Sequence, residues 1–269
     1  MRKTKVILYF LLVLPVLFTN CKQDSRDSGF NLFTIEDDKK LGLQVSQEIA
    51  SNPGEYPLLN PATYANSYTY LTNMRDAILA TGLVAYDTAF TWSMHIIHND
   101  TVLNAFCTPG GYIYFYTGII KSLDNEAQLA GVMAHEMAHA AQRHSTDQLT
   151  KVYGIQLLAG VLLGNNPSAL AQIASNLAQG LSSLAFSRKA EYEADEYAVK
   201  YLYKTSYDAL SLADFFVKIE GLPRPPSFLS THPSPEDRVA KITEIFNAQG
   251  GQPGQKYASR YALLKSSLP

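Results

Sequence analysis

The sequence predicts an α+β fold, mainly helical, with a small antiparallel sheet set among the helices. Three observations carry this reading. Helical periodicities occupy the chain before residue 81 and again after about residue 123. The block between them is rich in β-formers and punctuated by turn residues. From Phe30 onward no Pro/Gly-rich linker or internal repeat divides the chain, so 30–269 reads as one domain.

The first segment stands apart from that domain. Arg2, Lys3 and Lys5 precede an apolar run over 6–18, the pattern of a signal peptide spanning 1–20 and short for a membrane span. Leu17-Phe18-Thr19-Asn20-Cys21 is similar to a bacterial lipobox, with Asn20 in place of the usual small residue. Cys21 is therefore expected to carry a lipid, with 21–29 as a lipidated cysteine and flexible polar tether. An ordinary signal peptide or an uncleaved anchor is the alternative.

Thr34 can cap a helix whose first turn holds Glu36, Asp37 and Asp38, and Leu41, Val45 and Ile49 recur at i+4, which predicts a helix over 36–51. Tyr64, Tyr68, Leu71, Met74 and Ile78 form one stripe of a second helix over 62–81. Strands over 89–98 and 101–107 are expected to meet in a tight hairpin at Asn99-Asp100. After Pro109-Gly110-Gly111, the run Tyr112-Ile113-Tyr114-Phe115-Tyr116 alternates, with Ile113 and Phe115 toward the core and the tyrosines on the other face. Helices follow over 124–144, 146–163, 168–185, 187–203, 207–219 and 235–247. The apolar pair 152–164 and 168–186, separated by Asn165-Asn166-Pro167, reads as core or lid helices, with a membrane-leaning hairpin as the alternative.

Composition excludes several classes. Of 269 residues 46% are apolar, with 17 Tyr and 12 Phe, so the chain is not disordered. Net charge is −2; removal of the three basic residues of the signal segment leaves 19 Lys and Arg against 24 Asp and Glu, or −5. No basic excess is available to neutralise a phosphate backbone, so no nucleic-acid partner is expected. Two cysteines cannot build a disulfide framework.

His135-Glu136-Met137-Ala138-His139 carries the chemistry. A four-residue step overshoots one helical turn by about 40°, so both imidazoles leave one face and can hold one Zn²⁺. Glu136 adjoins the first histidine, placed to take a proton from water. Glu191 and Asp195 are again i and i+4; one can ligate while the other accepts a hydrogen bond from a ligand histidine. Glu193 points off that face. His95 and His98 face opposite sides of a strand and cannot chelate together. His144, about 140° around the helix from His139, reads as structural.

His135-Glu136-x-x-His139, Arg143-His144 and Ser187-Arg188-x-x-Glu191-x-Glu193-Ala194-Asp195 resemble one gluzincin metallopeptidase family, which includes the CAAX prenyl proteases, HtpX, the mitochondrial Oma protease and BepA. Two further stretches match it, Asn104-Ala105-Phe106-Cys107-Thr108-Pro109-Gly110-Gly111 and Ser230-Thr231-His232-Pro233-Ser234-Pro235-Glu236-Asp237-Arg238. The four motifs occur in order between about residues 30 and 246. The resemblance implies a mainly helical zincin-type metallopeptidase domain whose small antiparallel sheet lies beside the HExxH helix. It implies His135, His139 and Glu191 as ligands of one Zn²⁺, Glu136 as catalytic base and Asp195 behind the ligands. His232 and Arg238 are implied to line the active site and stabilise the reaction intermediate, and in some members the histidine matching His232 caps the zinc at rest. Cys107 stands where alanine is common; it reads as a small apolar filler, with a thiol near the metal as the alternative.

The function so implied is a zinc metalloendopeptidase that hydrolyses misfolded or envelope proteins. Its expected partners are protein or peptide substrates and outer-membrane protein assembly components. It is expected to face the periplasm as a lipoprotein, with the outer membrane favoured over the inner. A strand of substrate is expected to add along 112–116. The competing reading is an envelope chaperone or assembly factor with a latent, His-capped zinc site.

Overall fold

A computed structural model describes residues 31–163, 167–181, 185–224, 226–233 and 237–269. The signal peptide, Cys21 and the tether lie outside the described residues, as do Asn165, Asn166, Ser234, Pro235 and Glu236.

Helix α1 (Ile35–Ser51) begins in a capping box: Thr34 Oγ1 accepts from the Asp37 backbone N–H (3.1 Å) and Asp37 Oδ2 accepts from the Thr34 N–H (2.9 Å). Its buried stripe is Leu41, Val45 and Ile49, and α2 (Ala65–Leu79) buries Leu71, Met74 and Ile78, both as the periodicity predicts.

The sheet differs from expectation. Strands β1 (Ser93–Ile97), β2 (Ala105–Thr108) and β3 (Tyr112–Tyr116) lie in the order β1-β3-β2. β2 and β3 form the antiparallel hairpin, turned by Gly110 and Gly111 at φ 75° and 85°. β1 pairs with β3 in parallel, Ser93 opposite Tyr112, so the sheet is mixed rather than antiparallel. No hairpin forms at Asn99-Asp100. Those residues belong to a crossover: the Asn99 N–H donates to Thr117 Oγ1 (3.0 Å) and Asp100 pairs with Lys121 (2.7 Å). The physical reason lies in β3, whose five residues are all buried and whose two edges are therefore both best paired. The alternation along β3 holds: Ile113 and Phe115 join the cluster around α4, while the tyrosines join a second cluster under α1 and α7. Tyr114 is stacked between His95 of β1 (4.6 Å) and Phe106 of β2 (4.7 Å), one ring from each strand.

Short helix α3 (Thr117–Ser122) leads into α4 (Glu126–Ala141), capped by Asn125 and buried at all sixteen positions. The expected continuation of α4 to residue 144 fails because Arg143 adopts φ 61°, which ends one helix and starts α5 (His144–Tyr153). Gly154 (φ 75°) then divides the expected single helix over 146–163 into α5 and α6 (Ile155–Leu163). In α7 (Pro167–Gly180), Ile173, Ala174, Leu177 and Ala178 are buried in the cluster with α1, as a core helix requires. Among the described residues no helix is long and apolar enough to cross a membrane.

Helix α8 (Arg188–Tyr203), capped by Ser187, packs along α4, with α9 (Ser211–Glu220) and α11 (Arg238–Ala248) completing the bundle. The sequence pattern predicts none of three short helices: α3, α10 (Ser227–Thr231), which carries the chain to His232, and α12 (Ala258–Ser266).

Candidate metal centre

Four elements converge on one buried point. α4 supplies His135, Glu136 and His139, α8 supplies Glu191 and Asp195, the residue after α10 is His232, and α11 opens with Arg238. All seven are at most 1% exposed. Ligand atoms of His135, His139, Glu191 and His232 lie within 4.8 Å of one another. His135 Nε2 is 3.0 Å from His139 Nε2, 3.3 Å from His232 Nδ1 and 3.4 Å from Glu191 Oε2. Glu191 Oε1 is 3.5 Å from His139 Nε2 and 3.2 Å from His232 Nδ1.

These separations fit a zinc ion. Tetrahedral bonds of 2.0–2.1 Å place donor atoms about 3.3 Å apart, and nitrogen with carboxylate oxygen is the donor set zinc takes. Charge points the same way: three carboxylates (Glu136, Glu191, Asp195) face the single guanidinium of Arg238, a deficit that a dication matches. Burial works against the charged form of His135, but Asp195 and Glu191 outweigh it and push the imidazole up to about 9. Burial drives His139 well below the usual histidine value, and the neighbouring imidazoles add to this against Glu191. Burial would raise Glu191, yet His232 and His139 hold its carboxyl well below the usual range.

Behind the donors, Asp195 Oδ1 is 2.9 Å from His135 Nδ1. Arg238 donates from Nε (2.6 Å) and Nη2 (2.8 Å) to the two oxygens of Asp195, and Nη2 is 3.0 Å from Glu191 Oε2. Its guanidinium lies 3.7 Å over the Phe216 ring. Arg238 thus braces the two carboxylates from behind. Both Glu136 oxygens are buried with no hydrogen bond among the described residues, and His232 Nε2 stands 3.4 Å from Oε1. An orphaned buried carboxylate is costly, which marks Glu136 as a group kept for a reacting partner.

β2, the edge strand beside α4, brings the Cys107 thiol next to Glu136; burial and that carboxylate both push the thiol up, so it stays neutral. Phe186 stacks on His139 (4.2 Å) and Phe228 on His232 (4.3 Å), and the Phe186 N–H donates to Thr231 O (3.1 Å), so the two covering segments are tied together. His95 and His98 stay away from the cluster on β1 and just beyond it.

Sequence reasoning missed His144, Glu193 and the two phenylalanines. His144 does not sit 140° away on a continuous helix. The left-handed Arg143 swings it back, Nδ1 to Nδ1, to 2.8 Å from His139, and its Nε2 is 3.4 Å from Glu193 Oε2. No local pattern announces a left-handed arginine; the adjacent Arg143-His144 motif was the available signal.

An HExxH helix completed by a carboxylate from a second helix, set beside a small sheet, defines a metallopeptidase-type domain. Residues 72–246 match peptidase family M48, and the chain belongs to that family. It is 29% identical over 219 residues to the mitochondrial metalloendopeptidase OMA1 of Schizosaccharomyces pombe, covering 80% of this chain and 63% of the relative. It is 31% identical over 237 residues to the beta-barrel assembly-enhancing protease of Escherichia coli K12, covering 81% of this chain and 45% of the relative. The chain spans about half the length of the curated relatives it matches.

Proposed function

We propose that this chain is a zinc-dependent metalloendopeptidase that hydrolyses peptide bonds of misfolded or envelope proteins, tethered by a lipid on Cys21 to the cell envelope. The observation that carries the reading is the buried Glu136 carboxylate, which makes no hydrogen bond among the described residues, beside a four-donor cluster spaced for zinc. Zinc would be held there by His135, His139 and Glu191 and would supply a Lewis acid for a peptide carbonyl and for water. Glu136 takes a proton from the attacking water and returns it to the leaving amine. Asp195 Oδ1, 2.9 Å from His135 Nδ1, favours the tautomer with its hydrogen on Nδ1, which leaves the Nε2 lone pair for the metal. Arg238 holds Asp195 and Glu191 in place, and its Nη1 makes no hydrogen bond among the described residues, so the guanidinium keeps a donor that could serve a developing oxyanion.

The peptide does not add to β3, whose two edges are taken by β1 and β2. Among the described residues no strand pairs with the outer edge of β2 (Ala105–Thr108), the edge strand beside the active-site helix, and an extended substrate adds there. The name of the Escherichia coli relative speaks of β-barrel assembly, which supports an envelope setting and outer-membrane assembly components as partners.

One observation favours a second reading, a chaperone or assembly factor with a latent site: His232 Nδ1 stands among the donors, and its ring fills the space between them and Glu136. Chelation should abolish hydrolysis of an unfolded protein such as casein, zinc should restore it, and His232→Ala should raise the rate. A zinc-loaded wild type that hydrolyses nothing until His232→Ala uncovers the site would favour the latent reading over the enzyme.

A further inference from the structure

We propose that His144 and Glu193 form a positioning relay for the metal ligand His139, the counterpart of the Asp195 contact behind His135. This rests on the metal-site reading above. His139 Nε2 is the nitrogen that faces the donor cluster, 3.0 Å from His135 Nε2 and 3.5 Å from Glu191 Oε1. A neutral imidazole that ligates through Nε2 carries its hydrogen on Nδ1. Among the described residues that Nδ1 faces another ring nitrogen, His144 Nδ1 at 2.8 Å, in a residue 6% exposed. His144 Nδ1 must then be the acceptor, so the His144 hydrogen sits on Nε2 and points at Glu193 Oε2, 3.4 Å away. The tautomers of both rings follow from one end of the chain to the other: His139 Nδ1–H to His144 Nδ1, His144 Nε2–H to Glu193.

The backbone is built for this contact. Arg143 holds φ 61° while its guanidinium is anchored to α1 by Asp38 Oδ2 (2.5 Å) and the Phe33 carbonyl, and the turn delivers His144 at the first position of α5. The His139 and His144 ring centroids are 4.9 Å apart with 75° between planes, a twist that an Nδ1–H···Nδ1 bond accommodates, since it fixes where the two nitrogens point and not the angle between the rings. Thus each ligand histidine has its remote nitrogen occupied, His135 by Asp195 directly and His139 by a carboxylate acting through an imidazole.

The test compares His144→Phe, which keeps the ring and removes the acceptor, with His144→Asn, whose Oδ1 restores an acceptor near the position of Nδ1. Zinc affinity is measured on the full chain by competition with a chromophoric chelator, and the visible bands of the Co²⁺-substituted protein report ligand geometry. His144→Phe should bind zinc on the order of 10- to 100-fold more weakly and shift the Co²⁺ bands, while His144→Asn recovers most of the affinity and the wild-type spectrum. Wild-type affinity in a folded His144→Phe protein, or equal loss in both variants, would overturn the relay and leave His144 a packing residue. If His144→Phe does not fold, Glu193→Leu against Glu193→Gln decides: weaker zinc binding in the leucine variant alone supports the relay, and equal affinities overturn it. A wild-type chain that binds no zinc overturns the site reading and the relay with it. One that binds zinc without hydrolysing protein overturns only the peptidase reading.

Discussion

Replacing Arg238 with leucine should destabilise the metal-free protein by about 3–5 kcal/mol, the cost of removing one partner of a buried ion pair. The residue is fully buried, makes two short bonds to Asp195 (2.6 and 2.8 Å) and stands 3.0 Å from Glu191. Leucine refills part of the volume over Phe216 but leaves both carboxylates without their guanidinium. His135 offsets some of the loss, since its Nδ1 is 2.9 Å from Asp195. Arg238→Lys keeps the charge and loses the bidentate fork, so it should fall between leucine and wild type. Saturating zinc should narrow the gap, because the dication then balances Glu191. The assay is urea unfolding followed by circular dichroism, with chelator and with zinc, comparing midpoints at unchanged slope. An Arg238→Leu protein within about 1 kcal/mol of wild type in chelator would refute the reasoning, because an uncompensated buried pair of carboxylates cannot be that cheap.

Acid should weaken the sheet through His95. Burial pushes this imidazole down to about 4 from 6.5, so between those values the unfolded chain takes up a proton that the folded chain does not, and stability falls with falling pH by up to about 3 kcal/mol. The stability difference between wild type and His95→Phe should therefore vary with pH across that window and flatten above it; a constant difference in urea titrations would contradict the assignment. At Gly42, a Cβ would stand 1.8 Å from the Pro109 carbonyl oxygen, where α1 crosses the β2–β3 turn. Gly42→Ala should cost about 3 kcal/mol through forced displacement of backbone, and a thermal midpoint within about 2 °C of wild type would show that the crossing is loose.

The parts of the molecule legible in the sequence are those governed by short-range periodicity. The capping box at Thr34, the Leu41-Val45-Ile49 stripe, the shared face of His135 and His139, and that of Glu191 and Asp195 all follow from helical geometry within a few turns. Alternation likewise separated Ile113 and Phe115 from the tyrosines of β3. Pairing was not legible. A strand's pattern says which face is buried and nothing of which neighbour lies beside it, so β1, expected to pair with the next strand across Asn99-Asp100, instead pairs in parallel with β3. Alternation does not say what covers the tyrosine face, because the helices that cover it, α1 and α7, lie far from β3 along the chain. His144 was misjudged for a similar reason: a helical wheel assumes a continuous helix, and the break at Arg143 is a left-handed residue held by tertiary bonds to Asp38 and Phe33.

The central claim is that Glu136 moves the proton in peptide hydrolysis at a zinc site built by His135, His139 and Glu191. Its most direct test is hydrolysis of a quenched-fluorescent unfolded protein by wild type and Glu136→Gln at equal, verified zinc content. The amide keeps the shape of the side chain and loses its basicity, so the variant should bind zinc as wild type does and lose on the order of 10²–10⁴-fold in rate. A zinc-loaded Glu136→Gln protein that cleaves at the wild-type rate would contradict the account.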